Sequence, residues 1–143
     1  MRATVSWHGK RKFSAVAESD REVTIDAKPE AGGEGQGVRP MELLLMGLGG
    51  CTGIDMVMIL EKMRIQVDRL EMEVDGERTD TEPQKYTHFT ITYHVDAPDA
   101  PLERVLRAVR LSQEKYCSVA HSLIAPIDAV VVLNGERHVV EMA

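Results

Sequence analysis

The run PMELLLMGLGGCTGIDMVMILEKMR occupies residues 40–64 and is apolar on nearly every face of a helix. In a globular chain, such a helix is buried on most of its sides. Pro40 suits the first helical turn because it has no N–H to leave unpaired. Glu42 and Lys62 carry the charges that the two ends of a helix dipole favour. The run therefore predicts a long central helix in the middle of a core.

Four glycines lie near the middle of this run, close to Cys51. They are Gly47, Gly49, Gly50 and Gly53. Each costs about 1 kcal/mol against alanine in a helix interior, so their clustering needs a second reason. We expect either the close approach of a neighbouring backbone or room for a substrate beside Cys51.

Length, charge and hydrophobic pattern limit the domain number, the partners and the location that the sequence allows. The 143 residues predict a single domain over residues 1–143. A formal net charge of -6 with scattered basic residues argues against nucleic acid as a partner and against attraction to an anionic membrane. Thr52 and Asp55 interrupt the apolar run, which argues against a membrane span. Residues 1–7 lack the continuous hydrophobic stretch of a secretory signal, so we expect a cytoplasmic protein.

Alternating apolar and polar residues predict strands on both sides of the helix. Asn134-Gly135, between two apolar runs, predicts a tight hairpin near the end of the chain. The predicted order is a β-meander over residues 1–27, a glycine-rich loop over 28–39, the central helix over 40–64 and a β-β-α-β-β segment over 68–143. This order is typical of an α+β fold in which helices pack on antiparallel sheets.

Two cysteines in a cytosolic chain leave metal binding, redox chemistry or simple packing as their possible uses. Local sequence places Cys51 and Cys117 at helical positions, where a buried small hydrophobe is the commoner use. A thiol with a pKa of about 8.5 needs a nearby cation, helix N-terminus or hydrogen-bond donor to become a nucleophile. Cys51 lies too far inside its helix to benefit from the N-terminal dipole. Asp55, one turn later, would oppose activation unless it pairs with a cation or a backbone donor.

A metal site is the alternative for the cysteines. Cys117 and His121 have i, i+4 spacing and could both reach a metal, with Cys51 as a third ligand. Two cysteines and one suitable histidine leave a structural site incomplete, so we expect neither a metal nor another cofactor.

Two motifs carry a resemblance to a known family. PMELLLMGLGGCTGID at 40–55 and EKYCSVA at 114–120 resemble the OsmC/Ohr family, and its YhfA-like branch in particular. The resemblance covers nearly the whole chain. It implies an intertwined homodimer with antiparallel sheets around a long buried central helix and active sites at the subunit interface. It also implies a thiol-dependent peroxidase of organic hydroperoxides or hydrogen peroxide in stress defence, recycled by a dithiol reductant of the lipoyl or thiol type.

The resemblance also implies roles for individual residues. Cys51 would become a sulfenic acid that Cys117 resolves as a disulfide. Members of the family pair the reactive cysteine with an arginine from the first hairpin and a glutamate after the proline that opens the helix. Glu42 is the candidate glutamate, and Arg11 or Arg39 is the candidate arginine. Glu42 lies about 13.5 Å along a continuous helix from Cys51, so it would act through a helix break or across the dimer, or would be a first-turn acid.

A different class of function stays open at this point. An OsmC-like protein without enzymatic activity would keep the fold and bind a small hydrophobic or thiol-reactive ligand at its dimer interface. The departure from the family's arginine and glutamate pattern favours this alternative. The two retained cysteines favour the peroxidase.

Overall fold

A computed structural model describes residues 1–142, and the chain divides into two compact units, Met1–Leu44 and Leu45–Ala143. The first unit contains three strands, β1 Ala3–Trp7, β2 Phe13–Ala17 and β3 Glu22–Ile25. They form an antiparallel sheet in chain order. The predicted β-meander is therefore present. The prediction of one domain over residues 1–143 stays a prediction.

The glycine-rich loop of the first unit folds around a buried carboxylate. Asp26 is 1% exposed, and its carboxylate accepts hydrogen bonds from the backbone N–H groups of Ala27 at 2.8 Å, Glu34 at 3.1 Å and Gln36 at 3.2 Å. Burial raises the pKa of Asp26, but the three N–H donors outweigh it and the net pKa is lowered. A Cβ on Gly33 would lie 1.8 Å from the carbonyl oxygen of Ala27, so the loop requires glycine there.

The predicted central helix is α1, Pro40–Lys62. At its start, the side chain of Glu42 accepts a hydrogen bond from the backbone N–H of Arg39 at 2.7 Å, which satisfies a donor at the helix N-terminus. The helix ends two residues earlier than predicted because Arg64 is left-handed, with φ 59°. The N–H of Ile65 then bonds back to the carbonyl of Leu60 at 2.9 Å, closing the helix.

Burial of α1 differs from the prediction. Its buried residues form one stripe, namely Leu48, Gly49, Thr52, Gly53, Met56 and Leu60. On another face of α1, Ile54, Val57 and Met58 are 65%, 47% and 52% exposed. The expectation of burial on most sides is therefore wrong for a single chain. With a mean hydropathy of 1.9 over an 18-residue window, α1 is long and apolar enough to cross a membrane. Core helices of soluble proteins meet the same criterion of length and composition.

The second unit contains a four-stranded sheet in the order β4 Arg69–Arg78, β5 Tyr86–Asp96, β6 Ile127–Leu133 and β7 Glu136–Val140. The β4–β5 and β6–β7 pairs are antiparallel, as predicted, and β5–β6 is parallel. The parallel pair follows from the helical crossover between these two strands. Positive φ values of 49° at Asn134 and 86° at Gly135 form the predicted hairpin turn. The α+β fold class is confirmed.

The crossover contains two helices rather than one. After α2, Leu102–Leu111, a π turn covers Ser112–Tyr116, and the five-residue α3 follows at Ser118–Ser122. The N–H of Cys117 bonds to the carbonyl of Ser112 at 2.7 Å, which widens the turn. Cys117 itself is extended, with ψ 101°. The expected helical position of Cys117 is therefore wrong, because the wider turn interrupts the helix there.

Two of the four glycines in α1 make room for β4. A Cβ on Gly53 would lie 2.4 Å from Cε of Met72, and a Cβ on Gly49 would lie 3.0 Å from Cγ2 of Val74. Side chains of the sheet, rather than a neighbouring backbone, therefore explain these two glycines. A Cβ on Gly50 would meet nothing within 4 Å.

Candidate functional site

The structure brings the two cysteines of the second unit together. Cys51 is half-buried on α1, and Cys117 is buried immediately before α3. Both are free thiols, and their Sγ atoms lie within 4.8 Å of each other. The two sulfurs are 66 positions apart in the chain, so the crossover and the helix together create this contact.

The surroundings of Cys117 keep its proton in place. Burial raises the pKa of the Cys117 thiol to about 11. The N–H of Ala120, 3.4 Å from Sγ, opposes this increase. The hydrogen bond with Cys51 and the negative charges of Cys51 and Asp55 add to it. Cys117 is therefore a thiol at neutral pH and the weaker nucleophile in its resting state.

Asp55 is the third member of the site. Its carboxylate lies within 4.8 Å of both sulfurs. Its Oδ2 atom accepts a hydrogen bond from the hydroxyl of Ser112 at 2.8 Å. The expected partner, a cation or a backbone donor, is therefore replaced by a side-chain hydroxyl.

A buried network of hydrogen bonds leads to Asp55. Because Ser112 donates its one proton to the carboxylate, it must accept from Thr52 at 2.8 Å, and Thr52 must in turn accept from the phenol of Tyr93 at 2.7 Å. Gln113 donates from Nε2 to Tyr93 at 2.8 Å and to Thr52 at 3.1 Å. The hydroxyls of Tyr93, Thr52 and Ser112 therefore form a chain of donors that ends at the Asp55 carboxylate.

The protonation of Tyr93 agrees with this direction. Burial raises the pKa of Tyr93 to about 12, although its bonds with Thr52 and Gln113 lower it and the charges of Cys117 and Asp55 raise it. Tyr93 is therefore a phenol that can donate to Thr52 at neutral pH.

Sequence reasoning did not identify this network. Thr52, Tyr93, Ser112 and Gln113 come from α1, β5 and the π turn. One signal was available: a hydroxyl inside an apolar helix needs a partner when it is buried. Thr52 is fully buried, and its partners could not be identified without the tertiary structure.

The supporting residues expected in the first unit have other contacts. Glu42 is engaged with the backbone of Arg39 at the start of α1, which agrees with its interpretation as a first-turn acid. Arg11 is exposed and its Nη1 lies 3.5 Å from the carbonyl of Lys10. Arg39 is also exposed. A catalytic role for Glu42 or for either arginine stays a prediction.

Two groups of side chains in residues 1–142 are able to hold a metal ion by geometry. One consists of Cys51, Asp55 and Cys117, and the other of Glu71, Glu73 and His94 on the sheet. His121 belongs to neither group. The alternative ligand set of Cys117, His121 and Cys51 is therefore not brought together, and Asp55 rather than His121 lies beside the two sulfurs.

A separate groove of about 650 Å³ lies between α1 and α2. Lys62, Arg104, Arg107 and Arg110 give it a basic lining, and Tyr116 contributes an aromatic ring. Neither cysteine lines this groove. The candidate site is therefore assigned to the cysteines and Asp55, and not to this groove.

Comparison with known proteins supports the resemblance inferred from the motifs. Residues 33–131 match the family model of the OsmC-like protein. The chain is 38% identical over 121 residues to Protein YhfA of Escherichia coli K12, covering 84% of this chain and 87% of that protein. A hypothetical protein from Aquifex aeolicus VF5 has a TM-score of 0.76 at 29% identity, covering 92% of this chain and 96% of its own.

A more distant structure shares the fold alone. The organic hydroperoxide resistance protein OsmC from Legionella pneumophila has a TM-score of 0.65 at 16% identity, covering 92% of this chain and 94% of its own. The family model and the 38% identity to Protein YhfA confirm the family inferred from the two motifs.

Proposed function

This chain belongs to the OsmC-like protein family, and we propose that it is a thiol-dependent peroxidase acting on organic hydroperoxides or hydrogen peroxide in oxidative or osmotic stress. One observation carries the proposal: the free thiols of Cys51 and Cys117 have their Sγ atoms within 4.8 Å of each other. Resistance to organic hydroperoxides, named for the Legionella protein, agrees with this chemistry.

The proposed reaction begins at Cys51, the more accessible of the two thiols. Its thiolate attacks one peroxide oxygen, the O–O bond breaks, and the leaving alkoxide or hydroxide takes a proton to become an alcohol or water. Cys51 is thereby oxidised to a sulfenic acid. The difference in burial supports this order, because Cys51 is half-buried whereas Cys117 is 0% exposed.

Cys117 completes the cycle. Its sulfur attacks the sulfur of the Cys51 sulfenic acid, a disulfide forms and water leaves. Side-chain movement of about 2–3 Å is enough to bring sulfurs within 4.8 Å to the S–S bond length of about 2.05 Å. A dithiol of the lipoyl or thiol type then reduces the disulfide, and the cytoplasm is the proposed setting because thiols stay reduced there.

A second copy of the chain is the proposed partner. Ile54, Val57 and Met58 expose apolar surface on α1 next to the turn that carries Cys51. Exposed apolar patches of this kind mark interaction surfaces. A homodimer that covers this face also agrees with the assembly typical of the family.

The decisive experiment follows the mass and thiol count of the reduced chain after one equivalent of an alkyl hydroperoxide. We expect rapid loss of two thiols and about 2 Da in the wild type, since two thiol hydrogens leave when the disulfide forms. Cys117→Ser should stop at a sulfenic acid that a dimedone-type reagent traps. Cys51→Ser should keep its remaining thiol.

Slow and equal oxidation of all three proteins would contradict the peroxidase. The non-enzymatic alternative, binding of a small hydrophobic or thiol-reactive ligand, would then replace it. Reaction of Cys51→Ser at the wild-type rate would instead reverse the proposed roles of the two cysteines.

The dimer has its own test. Met58→Glu, measured by light scattering after size-exclusion chromatography, should shift the wild-type dimer mass to that of a monomer. The matched control is Ile124→Glu, which changes an exposed apolar residue outside α1. A monomeric wild type, or a dimer that both variants preserve, would contradict the proposed face.

A further inference from the structure

Three side chains at the site belong to types that bind metals together. The sulfurs of Cys51 and Cys117 and a carboxylate oxygen of Asp55 lie within 4.8 Å of one another. A cation at the centre of such a triangle is at most about 2.8 Å from each ligand atom, against about 2.3 Å for zinc–sulfur and about 2.0–2.2 Å for zinc–oxygen bonds. A contraction of about 0.5–0.8 Å per ligand therefore creates bonding distances.

The three ligands are held by structure that is independent of any metal. Cys51 and Asp55 are one turn apart on α1 and project from the same side of it. Cys117 is fixed between the π turn and α3, and its sulfur accepts a hydrogen bond from the N–H of Ala120. Ser112 orients the Asp55 carboxylate through a hydrogen bond to Oδ2, which uses one of the roughly four lone pairs of the carboxylate. Hydrogen bonds to ligand atoms of this kind orient the ligands of metal sites.

The charge of the group also fits a cation. Two thiolates and one carboxylate carry three negative charges. Within the described residues of the second unit, no lysine, arginine or histidine forms an ion pair with Asp55. A divalent cation would displace two thiol protons and leave a group with one negative charge. Thiolate ligands select soft or borderline cations over magnesium and calcium.

We propose that Cys51, Asp55 and Cys117 form a binding site for a thiophilic divalent cation of the zinc class. Three protein ligands leave the fourth tetrahedral position for water or another ligand. The site departs from the sequence-based expectation of no metal. It does not rest on the proposed peroxidase, because the three ligands are present whether or not Cys51 reacts with peroxides.

Metal binding and disulfide formation would exclude each other. Both use the lone pairs of the same two sulfurs, and a disulfide removes two of the three ligands. The bound cation therefore protects the thiols from oxidation, and oxidation releases the cation.

Cobalt(II) provides the test because its thiolate complexes absorb in the near ultraviolet and visible. Titration of the reduced full-length chain under argon should show one cobalt per chain with a thiolate charge-transfer band. Cys51→Ser and Cys117→Ser should each weaken or lose that band. Asp55→Asn should weaken binding by at least about tenfold, since even changes beyond the direct ligands cost 10–100-fold in affinity.

The matched control is His121→Ala, which should bind cobalt like the wild type. Wild-type protein whose two thiols have been oxidised to a disulfide with diamide should bind none. Wild-type protein without a charge-transfer band would overturn the proposal, and so would Asp55→Asn with unchanged affinity or His121→Ala with lost affinity.

X-ray absorption of the zinc-loaded wild type gives a second measurement that needs no variant. We expect two sulfur neighbours at about 2.3 Å and oxygen neighbours at about 2.0–2.2 Å. Outer scattering typical of imidazole would overturn the ligand set. None of these measurements uses enzymatic turnover, so failure of the peroxidase leaves the metal result intact, and failure of metal binding leaves the peroxidase result intact.

Discussion

Two aspartates, one in each unit, have opposite surroundings. Asp26 in the first unit accepts three hydrogen bonds from backbone N–H groups of its own loop. Asp55 in the second unit accepts one from the hydroxyl of Ser112 and faces two thiols. Backbone donors fill three of the roughly four acceptor sites of the Asp26 carboxylate, whereas the bond from Ser112 fills one acceptor site of the Asp55 carboxylate.

This difference distinguishes a carboxylate that stabilises a loop from one that is available for binding or reaction. Backbone donors are fixed by the fold, so the Asp26 loop depends on an ionised side chain as well as on the glycine at position 33. Asp55 is oriented by a chain of hydroxyls that can turn, and its free lone pairs point to a group that reacts or binds. Counting donors therefore distinguishes the two roles where residue type does not.

The largest expected effect is on the backbone of the Asp26 loop. Gly33→Ala places a Cβ 1.8 Å from the carbonyl oxygen of Ala27, so the backbone must move and the bonds from Glu34 and Gln36 to Asp26 are lost. We expect a decrease of about 3 kcal/mol in the free energy of unfolding. Urea denaturation measures this free energy when it is followed by the fluorescence of Trp7, the single tryptophan of the chain, which lies in the same unit as the loop.

Gly35→Ala is the control for this prediction. Unlike Gly33, Gly35 has a left-handed φ of 65°, and no atom lies closer than 3.9 Å to the added Cβ. We expect about 1 kcal/mol of destabilisation there. Equal effects of the two substitutions would show that the loop is not fixed by the close approach at Gly33.

The second prediction concerns acid. The folded pKa of Asp26 is below its ordinary value of 3.8, so its carboxylate stabilises the fold fully above pH 3.8 and loses this contribution as pH falls through the folded pKa. Asp26→Asn should therefore be less stable than the wild type at about pH 6. The difference in unfolding midpoint between the two proteins should shrink as the pH decreases below 3.8.

Thermal unfolding from about pH 6 to about pH 2 compares the two proteins. A constant difference between the wild type and Asp26→Asn across that range would contradict the role of the three N–H donors.

The smallest effect is expected in the hydroxyl network. Tyr93→Phe removes the donor to Thr52 and one acceptor of Gln113, while the bond from Ser112 to Asp55 remains. We expect a loss of about 1 kcal/mol in the free energy of unfolding. Tyr116→Phe, at a residue that is 50% exposed, should change it by less than about 0.5 kcal/mol. Equal values in urea denaturation would mean that the network contributes no stability.

Sequence reasoning was most successful where the signal was local. Alternation placed β1 to β5, and Asn134-Gly135 located the hairpin of β6 and β7, because both signals depend on neighbouring residues. The start of α1 followed from Pro40 and Glu42 for the same reason. The motifs around Cys51 and Cys117 identified the family that the comparisons confirm.

The rest depends on contacts between distant residues. Ser112 meets Asp55 across 57 positions and Thr52 meets Tyr93 across 41, and no local pattern encodes such contacts. The π turn was missed because Ser112–Tyr116 has ordinary helical composition. The exposed face of α1 was missed because apolar composition predicts burial without saying whether the covering surface belongs to the same chain.

Helix α3 begins on a sulfur atom. With only five residues, Ser118–Ser122, it is too short to be stable by itself. The N–H of Ala120 depends on Sγ of Cys117 as its acceptor. Oxidation or metal coordination of that sulfur changes the acceptor, so the amide resonance of Ala120 is a built-in spectroscopic reporter. A single nitrogen-15 label at this position would distinguish the thiol, disulfide and metal-bound forms without any dye or added probe.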